Sequence, residues 1–102
     1  MNIKLMYAIA FDFDTAKLKA KFGESDYRNR YKDVEKFFAE HDFHWQQGSL
    51  YYGDKDKVKL GTAFLVARKL SQEFPWISEC VGDIRVLAIM EEDDLKPHFL
   101  DA

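Results

Sequence analysis

The clearest pattern in the chain is a block of seven uncharged residues, Leu5 to Phe11, that ends in two carboxylates, Asp12 and Asp14. The run KLMYAIAFDFD (Lys4 to Asp14) is aromatic and branched, which suits a strand buried on both faces in the middle of a sheet. It is too short to span a bilayer. Asp14 and Thr15 are good helix-entry or turn residues, Ala16 to Phe22 fits a short helical turn, and Gly23 stops it. From Glu24 to His41, Tyr27, Tyr31, Val34, Phe37, Phe38 and His41 recur at spacings of three and four, which predicts an amphipathic helix, with Ser25 or Asp26 as its cap. Asp42 to Tyr52 alternates at strand period on either side of Gln47-Gly48, so two short strands, or one bent strand, hinge at Gly48. Gly53 to Asp56 reads as a turn. Lys57 to Phe74 reads as a second helix stopped by Pro75 and weakened at Gly61 by about 1 kcal/mol relative to Ala. A loop opens at Pro75-Trp76. The last strand, Cys80 to Met90, sets Ile84, Val86, Ala88 and Met90 against Asp83, Arg85, Leu87 and Ile89. Glu91 to Ala102 is a polar tail in which Leu95, Phe99 and Leu100 suit docking, on a partner subunit for example.

Strand–helix–strand–strand–helix–strand is the order of the split βαβ, ferredoxin-like α+β fold. Right-handed crossovers put both helices on one face of an antiparallel sheet. The other face then lacks a cover from within the chain, and an uncovered apolar face favours dimerisation through the sheet. With 102 residues, one domain over 1–102 is expected.

Composition narrows the classes. Apolar residues at 47% and charged ones at 32% describe a globular chain, and 16% aromatics exceed what many cores hold. The net charge of −3 argues against holding nucleic acid by bulk electrostatics, so any such role rests on a local patch or on site chemistry. One cysteine, Cys80, excludes an intrachain disulfide and fits a buried thiol in a reducing, cytoplasmic setting. Neither a signal peptide nor a membrane-spanning run is evident, which predicts no membrane partner.

For chemistry, Asp12 and Asp14 stand two residues apart on an extended segment, point to one side and could share a divalent cation; they could equally end the strand by capping backbone N–H groups. His41 suits a helix end, and His44 a surface strand. Neither has the neighbours of a zinc site. Ser49 lacks the glycine elbow of a hydrolase nucleophile, but with Gln46 and Gln47 it could bond a phosphate or base edge. Tyr51 and Tyr52 could stack on bases or pack in the core. Asp83 and Arg85 share a strand face and could form a cross-strand salt bridge or serve function. No phosphate-binding glycine loop, CxxC pair or HExxH helix is present.

Three stretches, MYAIAFD (Met6 to Asp12), F-x-W-x-Q-G-S-L-Y (Phe43 to Tyr51) and PW…V-x-DIR (Pro75 to Arg85), resemble in order the virulence-associated protein D family, VapD. That family is similar in fold to the small CRISPR adaptation proteins, whose second-strand motif Gln47, Ser49, Leu50 and Tyr51 echo. The resemblance implies a ferredoxin-like homodimer with endoribonuclease activity on RNA, in some members the toxin of a toxin–antitoxin pair with a small antitoxin protein. It implies Asp12 as the catalytic residue, two copies of which would meet near the dimer axis. Gln47, Ser49, Tyr51, Asp83 and Arg85 become substrate or dimer-cleft residues. Mg2+ is the expected ion, at Asp12 and secondarily Asp14. The chain departs from the family at Gly82, where members often carry Arg. That departure keeps open a non-catalytic dimeric scaffold that binds nucleic acid or protein, as the CRISPR adaptation proteins do, or a regulatory partner.

Overall fold

A computed structural model describes residues 5–100 of the chain; Lys4, where the strand pattern begins, and Asp101 and Ala102 of the tail lie outside them. Four strands form one sheet: β1 (Met6–Phe13), β2 (Phe43–Gln47), β3 (Leu50–Gly53) and β4 (Val81–Ile89). Their spatial order is β2-β3-β1-β4, and every neighbouring pair is antiparallel. This is the order that two crossover connections generate in a split βαβ arrangement.

β1 is central, as its composition requires. Ile9, Phe11 and Phe13 turn toward the helices, and Met6, Ala8, Ala10 and Asp12 turn the other way. Burial on both faces holds for the first half, where Ala8 is 0% and Ile9 2% exposed, and gives way at Asp12, which is exposed.

Four helices accompany the strands: α1 (Thr15–Phe22), α2 (Asn29–Glu40), α3 (Leu60–Glu73) and α4 (Ile77–Cys80). Each departs from the expected plan, α1 and α4 in kind and α2 and α3 in where they start. α1 is a full eight-residue helix, because Asp14 accepts a bond from Lys17 N at 3.1 Å and Gly23, at φ +84°, closes it through a bond to Lys19 O at 2.7 Å. α4 occupies the expected loop after Pro75 and carries the buried Ile77 and Cys80. α2 starts later than Glu24. Residues 24–28 form turns, and the expected Ser25 or Asp26 cap is not made. Asp26 instead accepts from Asn29 Nδ2 at 2.8 Å and pairs with Arg30 at 3.5 Å. α3 likewise starts at Leu60 rather than Lys57, where Lys59 N donates to Thr62 Oγ1 at 3.1 Å.

The core lies between the sheet and the helices, and it absorbs most of the aromatic surplus. Phe38 of α2 is fully buried, with its ring centroid 4.6 Å from Tyr51, 6.0 Å from Phe11 and 6.4 Å from Phe43. Phe13 stands edge-on to Phe11 at 4.8 Å and to Tyr31 at 5.0 Å, and it stacks on Trp76 at 6.0 Å. Burying one such side chain contributes about 1.5–3 kcal/mol, and each edge-to-face pair about 0.5–1.5 kcal/mol more. With helices on one side of a single sheet, the molecule is a slab of 47 × 43 × 19 Å. Its open sheet face presents Ala10, Leu50, Tyr52, Leu87 and Ile89 together with Asp12, Asp83 and Arg85. No helix of the described residues is long and apolar enough to cross a membrane.

Candidate functional site

The open face becomes polar at one end, where β1 runs out. There the chain passes from β2 to β3 through Gly48-Ser49 alone. Gly48 takes φ +48°, a conformation that favours glycine, and its carbonyl accepts from Trp45 Nε1 at 2.9 Å. The turn is further tied to β1 because Phe11 N donates to Ser49 O at 2.9 Å. That backbone bond sets Ser49 beside the last residues of β1, and its hydroxyl donates to Asp12 Oδ1.

The other flank of Asp12 is β4. Asp83 stands directly opposite Asp12, and Arg85 stands opposite Ala10, all on the open face. Two carboxylates facing across a strand pair repel each other. Arg85 offsets this by donating Nε to both oxygens of Asp83, at 3.2 and 3.0 Å. The ion pair expected between strands is thus made within β4. It stays wet, with side chains 70% and 49% exposed, so its value for stability is small.

Next to this pair the ladder slips. Asp12 opposes Asp83 while Phe13 opposes Val81, which leaves Gly82 as the extra residue of a bulge. Asp14 N donates to Cys80 O at 2.8 Å and draws β4 against the start of α1. A Cβ at Gly82 would lie 3.2 Å from both Asp14 N and Phe13 C and 3.3 Å from Asp12 O. An Arg at this position would therefore press on the backbone that carries Asp12.

The remaining expected site residues lie apart from this group. Asp14 serves as the cap of α1, the bland alternative of the two considered for it. Tyr51 faces the helices and is buried against Phe38, and burial, then the negative charge of Glu35, push its hydroxyl up to about 12. Gln47 pairs with Leu50 at the end of β2. With Gln46 and Tyr52 it lines a groove of about 660 Å³ whose far wall is residues 92–96 and Phe99 of the tail. His41 ends α2, giving Nδ1 to the Phe37 carbonyl at 2.8 Å and stacking on the Phe37 ring. His44 is exposed and sits opposite Tyr52. Cys80 is buried, and desolvation pushes its thiol up.

Among the described residues no three His, Cys, Asp or Glu side chains converge as a metal-holding group. Arg85 occupies both oxygens of Asp83, while Asp12 and Asp14 each keep one oxygen open; of these two Asp12 is the exposed one, on the open sheet face. The arrangement is a carboxylate with one oxygen held by a hydroxyl, beside a guanidinium, at the solvent edge of a sheet. It can accept a proton and can face a phosphate. The motif strings alone carried no sign of the Ser49–Asp12 bond. The signal was the two-residue hinge at Gly48, which forces a tight hairpin and carries Ser49 back to β1.

No family model matches the chain. Curated relatives match nearly all of it. It is 45% identical over 92 residues to endoribonuclease VapD 2 of Riemerella anatipestifer, covering 90% of this chain and 97% of that one. It is 38% identical over 92 residues to an endoribonuclease VapD homolog of Helicobacter pylori, covering 90% and 94%. It is 35% identical over 89 residues to endoribonuclease VapD of Dichelobacter nodosus, covering 87% and 91%.

Proposed function

This chain belongs to the VapD endoribonuclease family, and we propose that it cleaves phosphodiester bonds of RNA with Asp12 as the catalytic residue. The carrying observation is the exposed Asp12 carboxylate with its Oδ1 engaged by Ser49. Ser49 restrains the carboxylate's rotation and leaves Oδ2 free to accept a proton. In the proposed step a hydroxyl, from water or from the RNA's own 2′ position, attacks phosphorus. Its proton passes to Asp12 Oδ2, and the P–O5′ bond breaks so that the 5′ oxygen departs with the downstream strand, taking up a proton from water. A positioned base of this kind contributes roughly 10²–10⁴-fold.

In the metal-assisted form of this reading Oδ2 would hold Mg2+ instead of taking the proton, with Asp12 the one protein ligand, because this ion commonly takes one or two carboxylates and fills its shell with water and substrate phosphates. When bound it would supply charge stabilisation at the phosphate.

The working form in this reading is a homodimer closed over the open sheet face. Leu87 is 38% exposed there, and Phe99 and Leu100 of the tail are 78% and 96% exposed. A flat apolar face with loose apolar residues beside it suits a second copy. Gln47 and the Asp83–Arg85 pair would then line the cleft that receives RNA, with Tyr51 behind it in the core. In the cell the activity suits a cytoplasmic growth-regulating toxin restrained by a small antitoxin.

The test is cleavage of a mixed RNA by purified protein, with and without EDTA, alongside Asp12→Asn. The variant should lose at least a hundredfold in rate while keeping its melting temperature. Equal cutting by both proteins would remove Asp12 from the chemistry.

A further inference from the structure

We infer that Arg85 is the phosphate-contacting residue of this site and that Asp83 is its positioning residue. The inference rests on the endoribonuclease reading and adds to it how an acidic protein holds RNA. Arg85 is the only Lys or Arg in any of the four strands. Among the described residues the sheet therefore has a single Lys or Arg, and it lies on the face and at the end where Asp12 is found. Its cross-strand neighbour is Ala10, too small to cover it, and its side chain is 70% exposed. Both bonds to Asp83 go through Nε. Nη1 and Nη2 have no protein partner among the described residues, so the two outer amino groups remain for a phosphate.

Arg on phosphate is typically bidentate, and a guanidinium already oriented loses less freedom on binding. Asp83 supplies that orientation. It also explains why a carboxylate is tolerated opposite Asp12: the charge of Asp83 is spent on Arg85 rather than directed at the substrate.

Of the other cations, Lys96 of the tail lines the groove beside Gln47 and Tyr52, which Asp12 does not line, and the rest of the described ones lie off the sheet. Lys21 pairs with Glu79 at 3.2 Å and Lys19 with Glu24 at 3.9 Å on or beside α1, while Arg68 and Lys69 belong to α3, in the helix layer. Gly82 supplies no cation to β4 at this point, and a Cβ there would sit 3.2–3.3 Å from the backbone of Asp12 to Asp14.

Binding of a labelled single-stranded RNA to full-length protein carrying Asp12→Asn, measured across a salt series, tests this. Adding Arg85→Ala should weaken binding about tenfold. It should also make the slope of log affinity against log salt shallower by about 0.7, the value of one phosphate contact on a single strand. Arg85→Lys should keep the slope and lose part of the affinity, because charge survives and the fork does not. Asp83→Asn should keep the slope and weaken binding less than Arg85→Ala does. An Arg85→Ala protein with unchanged affinity and slope overturns the inference while leaving the endoribonuclease reading intact. A wild-type chain that neither cuts nor binds RNA overturns both. Both side chains are exposed, so the variants should fold, and their melting curves report it.

Discussion

Ser49 donates its hydroxyl to Asp12 across the join between the β2–β3 turn and β1, though 37 residues separate them in the chain. The bond exists because the Phe11 amide has already captured the Ser49 carbonyl. A strand end and a hairpin turn are thereby locked in register, and the side chains one position along meet. The same contact gives the carboxylate a fixed and a free oxygen.

Removing that hydroxyl should affect catalysis more than folding. Ser49→Ala is expected to lower kcat on RNA by three- to tenfold, with KM little changed and stability altered by less than about 1 kcal/mol. Ser49→Thr, which retains the hydroxyl, should recover most of the rate. A Ser49→Ala enzyme with wild-type kcat would assign the bond no role in positioning Asp12.

Asp14 should separate cleanly from Asp12. Asp14→Ala removes the cap of α1 and should cost about 1 kcal/mol in urea denaturation. RNA cleavage at a temperature where the variant is fully folded should stay within about twofold of wild type. Loss of cleavage with stability preserved would place Asp14 in the active site after all.

Gly82 lies in a close approach between β4 and the end of β1. Gly82→Ala should destabilise the protein by about 1–3 kcal/mol, since the new methyl meets the Asp14 amide and the Phe13 carbonyl carbon at 3.2 Å. Gly82→Arg should cost at least as much, and it should lower cleavage through the displaced Asp12 backbone even though it adds a cation. A Gly82→Arg protein that is both as stable and more active would contradict the tight bulge.

Tyr51 predicts alkaline behaviour. Its hydroxyl titrates near 12 in the folded chain and near 10 when unfolded, because burial disfavours the phenolate. Between those values the unfolded state releases the proton first, so this residue's contribution is intact below about pH 10 and declines as pH rises toward 12. Tyr51→Phe should flatten the fall in stability over that interval, measured by denaturant midpoints. Tyr52, raised in the same direction by burial and by its bond to Glu92, leaves a residual slope.

Much of the fold was legible in one dimension. Apolar alternation placed β1, β3 and β4 to within a residue or two, and Gly48 marked the hairpin. The stripe of Val34, Phe37 and Phe38 is buried as its spacing requires, whereas Tyr31 of the same stripe is 42% exposed beside α1. The expected helix starts failed where local turns competed. Ser25 and Asp26 are plausible caps by residue type, but the chain spends 24–28 in turns anchored on Gly23. α4 was hidden because four residues after a proline carry no period.

Residue chemistry along the chain thus determined the strand carrying Asp12, the Asp83–Arg85 face and the family motifs, since these depend on side-chain type and a period of two. Tertiary structure alone decided which of them meet. Register across β1–β4 put Asp83 opposite Asp12 and Arg85 beside it, and the tight turn brought Ser49 to the carboxylate. It also turned Tyr51 inward and assigned Asp14 to a helix cap. The physical reason is that a one-residue change of register exchanges the faces of a strand. Alternation names two sets of residues on each strand, and only pairing with a neighbour says which set shares a surface with the Asp12 carboxylate.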